Sequence, residues 1–323
     1  MNDSIDVNLE AVPAENGRDP SAPESGNGPK KIKRRKSTRI KQTPADIVFD
    51  VIKYVILVVS LVLVILPMLN ILALSFSNGV YNSKVSIIPL GINFKAYVYV
   101  LSESLFLQAF GNSVLATVLV TILSTVCMSM AAYPLSKIDC PFKKGITTFF
   151  IITMLFSAGI IPGYILMMVL GLTDTIWSII IISINNVYNM LLFKSNFLGI
   201  PNEIEEAAKI DGASSIQLFF IIVIPLCLPV FASCAFFTIV GTWNSYGGAL
   251  MYIQNNRSAQ PLALYLYKML QTDAVSVTDP WRITNKSNIE AATLIISVIP
   301  VLLVYPYVIK YIKSGLTIGS VKE

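Results

Sequence analysis

Glu203, Glu205, Glu206, Lys209 and Asp211 fall within nine positions of a chain that is otherwise 54% hydrophobic and only 13% charged. Carboxylates this close could do acid–base work, but the remaining acids lie in loops and tails and form no second partner across a recognisable cleft. The sequence has no histidine, which excludes histidine-ligated metals, histidine bases and a Ser-His-Asp triad. Cys127, Cys227 and Cys234 lie in or beside apolar runs and Cys140 in a lysine-bearing loop; their spacing is not that of a zinc site, and no disulfide is expected. Gly315 to Lys322, GLTIGSVK, is the nearest approach to a phosphate-binding loop, yet such a loop needs lysine directly after its last glycine, and Ser320 follows Gly319. Recognition is the chemistry left to the cluster: charge held out to a partner. By itself the chain is expected not to be an enzyme, with no metal site and no cofactor of its own.

The cluster sits in Pro201 to Pro225, PNEIEEAAKIDGASSIQLFFIIVIP, which reads as a short helix, a break and a second helix. Asn202 is the expected N-cap, with Glu205 reaching back to the cap amide and the acidic first turn suiting the helix dipole. Glu205 and Lys209 are four apart in the favourable order. Gly212 supplies the left-handed residue that ends the helix, and Ser214 with Gln217 forms a capping box for the next. At 1.5 Å per residue the first helix is about 14 Å long. Ile204, Ala207, Ala208 and Asp211 share one face of it, where paired alanines allow another surface close to the backbone.

Glu206-Ala207-Ala208, three residues, Gly212, nine residues, Ile222, one residue and Ile224-Pro225 resembles the EAA loop of ABC importer membrane subunits, with Ile224 in place of the usual leucine. The string EEAAKIDGAS is similar to the carbohydrate branch, the MalG-like permeases. Ala131 to Lys137 (AAYPLSK), Ile161-Pro162-Gly163-Tyr164, Trp243-Asn244 and Tyr305 to Lys322 extend the resemblance to oligosaccharide permeases served by lipid-anchored binding proteins. It covers the chain from about residue 47 onward. The resemblance implies an all-α type I importer permease with six transmembrane helices and a cytosolic coupling helix. It implies that Glu206, Ala207, Ala208, Asp211 and Gly212 couple the chain to an ATPase, with Glu206 pairing with a basic group there. The implied partners are a second, non-identical permease, two ATPase subunits that bind ATP and Mg, a lipid-anchored solute-binding protein and an oligosaccharide.

Composition independently demands a membrane. With a mean hydropathy of +0.67, several apolar runs approach or exceed the roughly 18 to 20 residues needed to cross a bilayer. Spans are expected near 51–74, 113–133, 147–170, 176–193, 226–251 and 291–312, making 44–323 a transmembrane domain with the loop 201–225 inside it. Residues 1–43 read as a separate tail. Its first part is too poor in large apolar groups to offset ordering entropy; its second, KKIKRRKSTRIK, reads as a topology signal against anionic headgroups rather than a nucleic-acid contact. Between residues 30 and 322, seventeen lysines and arginines fall on the side of the termini and the 201–225 loop, and six on the other. Positive-inside then puts both termini and that loop in the cytosol of a multi-pass cell-membrane protein.

Polar residues within the spans have two readings. Asn185 and Asn189, with Ser178, share a face of the fourth span and serve either a solute pathway or helix packing. Ser113, Thr117, Thr121 and Ser124 follow helical spacing on the second span and suit packing. Trp243, Asn244 and Tyr246 end the fifth span toward the outside, as an interfacial belt or as a surface for sugar rings. The outer segment 247–289 contains a helix at 261–271 and the cations Arg257, Lys268, Arg282 and Lys286; its length points to a functional connection, and four dispersed cations only weakly favour an acidic glycan. The alternatives are an ABC importer for a peptide or polyamine, and an ATP-independent carrier. A carrier predicts broken helices at matching places in two halves, and no such pairing is evident between 51–170 and 176–312.

Overall fold

The computed structural model describes residues 44–77, 87–89, 91–137, 139–156, 158–271 and 280–319, and every regular element among them is helical. The tail 1–43, with its expected basic segment, lies outside the described residues. In chain order the helices are α1 (Pro44–Phe76), α2 (Lys95–Ser102), α3 (Ser104–Ser136), α4 (Lys143–Leu155), α5 (Ile160–Val169), α6 (Trp177–Ile184), α7 (Val187–Phe197) and α8 (Asn202–Ile210). There follow α9 (Ser215–Gln217), a π-helical stretch Leu218–Val223, α10 (Ile224–Leu226), α11 (Leu228–Asn244) and α12 (Gly247–Tyr252). A 3₁₀ turn, Arg257–Ala259, leads to α13 (Leu262–Gln271), α14 (Pro280–Thr284) and α15 (Lys286–Gly319).

The chain divides between Leu57 and Val58, inside α1. Of the first unit, the described part is the start of α1, where Pro44 occupies a position whose N–H needs no helical partner. In the second unit α1 continues with Val58 to Leu69 exposed throughout. An apolar surface this long, left uncovered by the described residues, requires lipid or another protein.

Three helical stretches, Asp46–Phe76, Ser104–Ser136 and Lys286–Tyr311, are long and apolar enough to cross a membrane. Two bent pairs, α4 with α5 and Ser215–Leu226 with α11, raise the number to five. The second pair turns by 84° at Cys227, where Pro225 and Pro229 each remove a backbone donor. The stretch 176–193, expected as one span, is divided into α6 and α7. Asn185 and Asn186 both have ψ near 87°, and the Asn186 side chain accepts from the backbone N–H of Asn189 at 3.1 Å. Asparagine competes for backbone partners in this way, so the pair stops one helix and caps the next.

At the centre is α3, which packs against α2, α6, α7, α11 and α13. Its buried face is built from Ala109, Ser113, Ala116, Thr117, Ser124, Ser129 and Ala132, small residues that let neighbouring backbones come near. Thirty-three residues make it about 50 Å long, and a separate core forms at each end. Near Ser136, Leu135 packs with Phe193, Phe197, Leu218, Phe219 and Ala208. Near Ser104, Phe106 packs with Val100, Trp243, Leu262 and Ile289.

Candidate functional site

At the Ser136 end, α8 is tied down on one side and open on the other. The backbone enters through Pro201 in an extended conformation with no side-chain cap, so Asn202 is the first helical residue rather than the expected cap. Nor does Glu205 turn back to a cap amide or pair with Lys209. It is buried and forms an ion pair with Lys137, whose ammonium lies 4.7 Å from the centre of the Tyr133 ring. Burial explains the change of partner: a carboxylate facing the core is stabilised by a charge that shares its low dielectric, and a surface lysine one turn away does not. Lys143 closes the same corner by donating to the carbonyls of Ser136 and Lys137 at 3.3 and 3.0 Å, meeting the orphan acceptors at the end of α3.

The face expected for docking is divided. Ala208 turns inward and is 7% exposed, joining the core beside Phe197 and Phe219. Glu203, Glu206, Ala207 and Asp211 remain exposed, and Ile210 is 86% exposed. The outward surface is therefore an acid, a small residue and an uncovered isoleucine one turn on. Gly212 has φ +81°. It donates to Lys209 O at 3.1 Å while Ala213 donates to Ala208 O at 3.0 Å, the two bonds of a Schellman stop. Ser214 and Gln217 then complete a reciprocal capping box, so α8 is joined to the next helix through a defined turn.

At the Ser104 end, a cavity of about 590 Å³ lies between Glu103, the 254–260 loop, α13 and Arg282. Three clamps shape it. Asp174, itself left-handed at φ 59°, accepts from the backbone N–H of Gln254 and Asn255 at 2.8 Å each and of Asn256 at 3.4 Å. The bonds from Asn255 above all hold its carboxyl below the ordinary aspartate range. Asn112 donates to the carbonyls of Ser258 and Gln260 at 2.7 and 3.1 Å, and Ser113 Oγ accepts from Leu262 N at 2.7 Å. Glu103 accepts from Tyr265 Oη at 2.9 Å and lies 3.7 Å from Arg282. Arg257, Lys268 and Arg282, dispersed in sequence, thereby line one cavity. Lys286 does not join them and faces Glu290 at 3.7 Å.

Trp243, Asn244 and Tyr246 line a neighbouring cavity of about 470 Å³ with Tyr267. Trp243 is 7% exposed, donates Nε1 to Ser297 O at 3.0 Å and meets Phe110 edge-on at 5.8 Å, so its indole is fixed by packing. Asn244 Nδ2 donates to Val240 O at 2.9 Å. Tyr246 keeps an exposed ring, stacked on Tyr267 with centroids 4.8 Å apart. The two asparagines expected on a common face are separated: Asn185 is exposed at the helix break, and Asn189 is wholly buried with Nδ2 donating to Thr238 Oγ1 at 2.9 Å. The Glu205–Lys137 pair and the gathering of three cations were absent from the sequence reading. The only advance signal was their charge, beside the AAYPLSK segment and in the 247–289 connection.

Residues 140–318 match the family of binding-protein-dependent transport system inner membrane components. The chain belongs to this family. It is 33% identical over 281 residues to the polygalacturonan/rhamnogalacturonan transport system permease protein YtcP of Bacillus subtilis, covering 85% of this chain and 98% of that one. It is 36% identical over 286 residues to protein LplC of the same organism, covering 87% and 97%. A bacterial ABC transporter involved in the import of the acidic polysaccharide alginate contains a chain of the same fold, with a TM-score of 0.76, 28% identity and coverage of 84% of this permease and 99% of that chain. The all-α, multi-pass architecture expected from the EAA-type loop is thus the architecture of the family.

Proposed function

We propose that this permease is one of two non-identical membrane subunits of an ABC importer that takes up an oligosaccharide delivered by an external, lipid-anchored binding protein. Two cytosolic ATPase subunits bind ATP and Mg and supply the energy, and this chain performs no hydrolysis itself. Both termini and α8 face the cytosol. The observation that carries the reading is the two-sided construction of α8: Glu205 and Ala208 are anchored in the chain's own core, while Glu206, Ala207 and Ile210 are held outward. A helix anchored in this way moves as a body with α3 through Glu205–Lys137, and with α10 and α11 through the Gly212 turn. Closure of the ATPase dimer against its outer face is thereby converted into reorientation of the membrane helices. The cycle runs because the inward- and outward-facing states differ in affinity for the ATPase-bound nucleotide and for the loaded binding protein. The carbohydrate substrates in the names of YtcP and the alginate importer support an oligosaccharide as solute.

Affinity purification of the tagged permease from its native membrane tests this. An ATPase, a second permease and a binding protein should co-purify, and Glu206→Lys should lose the ATPase and ATP-driven uptake while melting like the wild type, because Glu206 contributes no buried contact. Recovery of the chain alone, unchanged by the substitution, would sink the proposal.

A further inference from the structure

We infer that the corner between α4 and α7, at the Ser136 end of α3, is a binding site for an anionic phospholipid. Its phosphate sits among Lys143, Lys144 and Lys194, and its acyl chains lie along α4. The inference requires only that the chain lies in a membrane and is independent of the solute carried. Helix α3 is long and apolar enough to cross a bilayer and ends at Ser136, and α4 begins at Lys143 after a short connection. The start of α4 is therefore at the membrane surface.

Two helices deliver the charge. On α4, Lys143 and Lys144 stand four and three positions before Thr147, so both are surface neighbours of its hydroxyl. From α7, Lys194 Nζ donates to that hydroxyl at 2.7 Å, and the Lys143 charge acts on Lys194. None of the three lysines forms an ion pair with a carboxylate among the described residues. Glu205 is taken by Lys137. Asp139, the acid of the α3–α4 connection, is exposed and reaches none of these cations. Like charges gathered without a counter-charge repel one another, and a basic pocket between helices at a membrane surface suits an anionic headgroup. Lys143 also donates to the Ser136 and Lys137 carbonyls, which fixes it in place. Lys144 and Lys194 keep ammonium donors for phosphate oxygens.

The rest of α4 separates a lipid from free phosphate, which needs only the charge. No residue of α4 is buried, and Ile146, Phe149 and Ile152 are exposed at helical spacing. This apolar stripe begins within one turn of the lysines, so the charge and the apolar surface follow one another along the helix as headgroup and acyl chain do in a lipid.

The test uses the full chain in a neutral detergent, with native mass spectrometry resolving single lipid additions. The probes are dioleoyl phosphatidylglycerol and dioleoyl phosphatidylcholine, which share their chains and differ in net charge. The anionic lipid should bind at least about twentyfold more tightly, and Lys144→Gln with Lys194→Gln should remove most of that preference, at about fivefold per charge. Lys144→Arg with Lys194→Arg should keep it. Equal binding of the two lipids by the wild type would overturn the site whatever the variants do. So would a preference untouched by the double glutamine variant, or one lost equally in Lys209→Gln with Lys310→Gln, which removes the same net charge elsewhere. Displacement of phosphatidylglycerol by an equal concentration of inorganic phosphate would also overturn it and assign the lysines to a free anion.

Discussion

Glu205 and Glu206 are adjacent in sequence and opposite in role because one faces a protein core and the other faces away. The buried Glu205–Lys137 pair lies far enough inside that removing one partner strands the other. Lys137→Met should cost about 3 kcal/mol, read as a lower melting temperature from the accessibility of the buried thiols Cys227 and Cys234 to a maleimide dye in detergent. Pairing it with Glu205→Met should restore most of the loss; a double variant no more stable than the single would contradict this account. Asp174 makes a prediction of opposite exposure. Its folded pKa is depressed by the amides it accepts from, so its stabilisation of the 254–256 turn is complete above the unfolded aspartate value of about 4. It is lost as pH falls through the lower folded value. Asp174→Asn should accordingly speed amide exchange at Gln254, Asn255 and Asn256 at neutral pH, while exchange within α3 stays unchanged.

Among the elements, α8 shows how little sequence is needed to stop one helix and start the next. Its C-terminal stop depends on a left-handed residue, and a Cβ at Gly212 would meet nothing within 4 Å. The cost of Gly212→Ala is therefore conformational alone, about 1 kcal/mol. Gly212→Asn should cost less, since asparagine tolerates this conformation. Amide exchange at Ala213 measures both, and equal protection in the two variants would remove the Schellman turn from the argument. The divided α6–α7 element illustrates the reverse. Its residues are apolar enough for one span, yet Asn186, which satisfies the backbone N–H of Asn189, outweighs helical continuity.

For the molecule as a whole, the two faces of α8 differ in burial, and substitutions should sort accordingly. Ala207→Arg should abolish ATPase co-purification with the fold intact, whereas Ala208→Arg should unfold the Phe197–Phe219 core and lose expression, since only Ala208 is buried. A reversal of those outcomes would mean that α8 sits the other way round. Much of this was legible in the chain alone. Hydropathy required membrane helices, the EAA-type spacing located α8, and Gly212 and the Ser214–Gln217 box were readable because caps and turns are decided within four residues. The partner of Glu205, the inward turn of Ala208, the burial of Trp243 and Asn189 and the meeting of Arg257, Lys268 and Arg282 were not. Each depends on contacts between segments tens to more than a hundred residues apart. Sequence by itself determined which stretches are apolar, charged or turn-forming, because those properties are local. Only the tertiary structure decided which charges share a cavity and which are buried, because burial and proximity depend on how separate helices pack around α3.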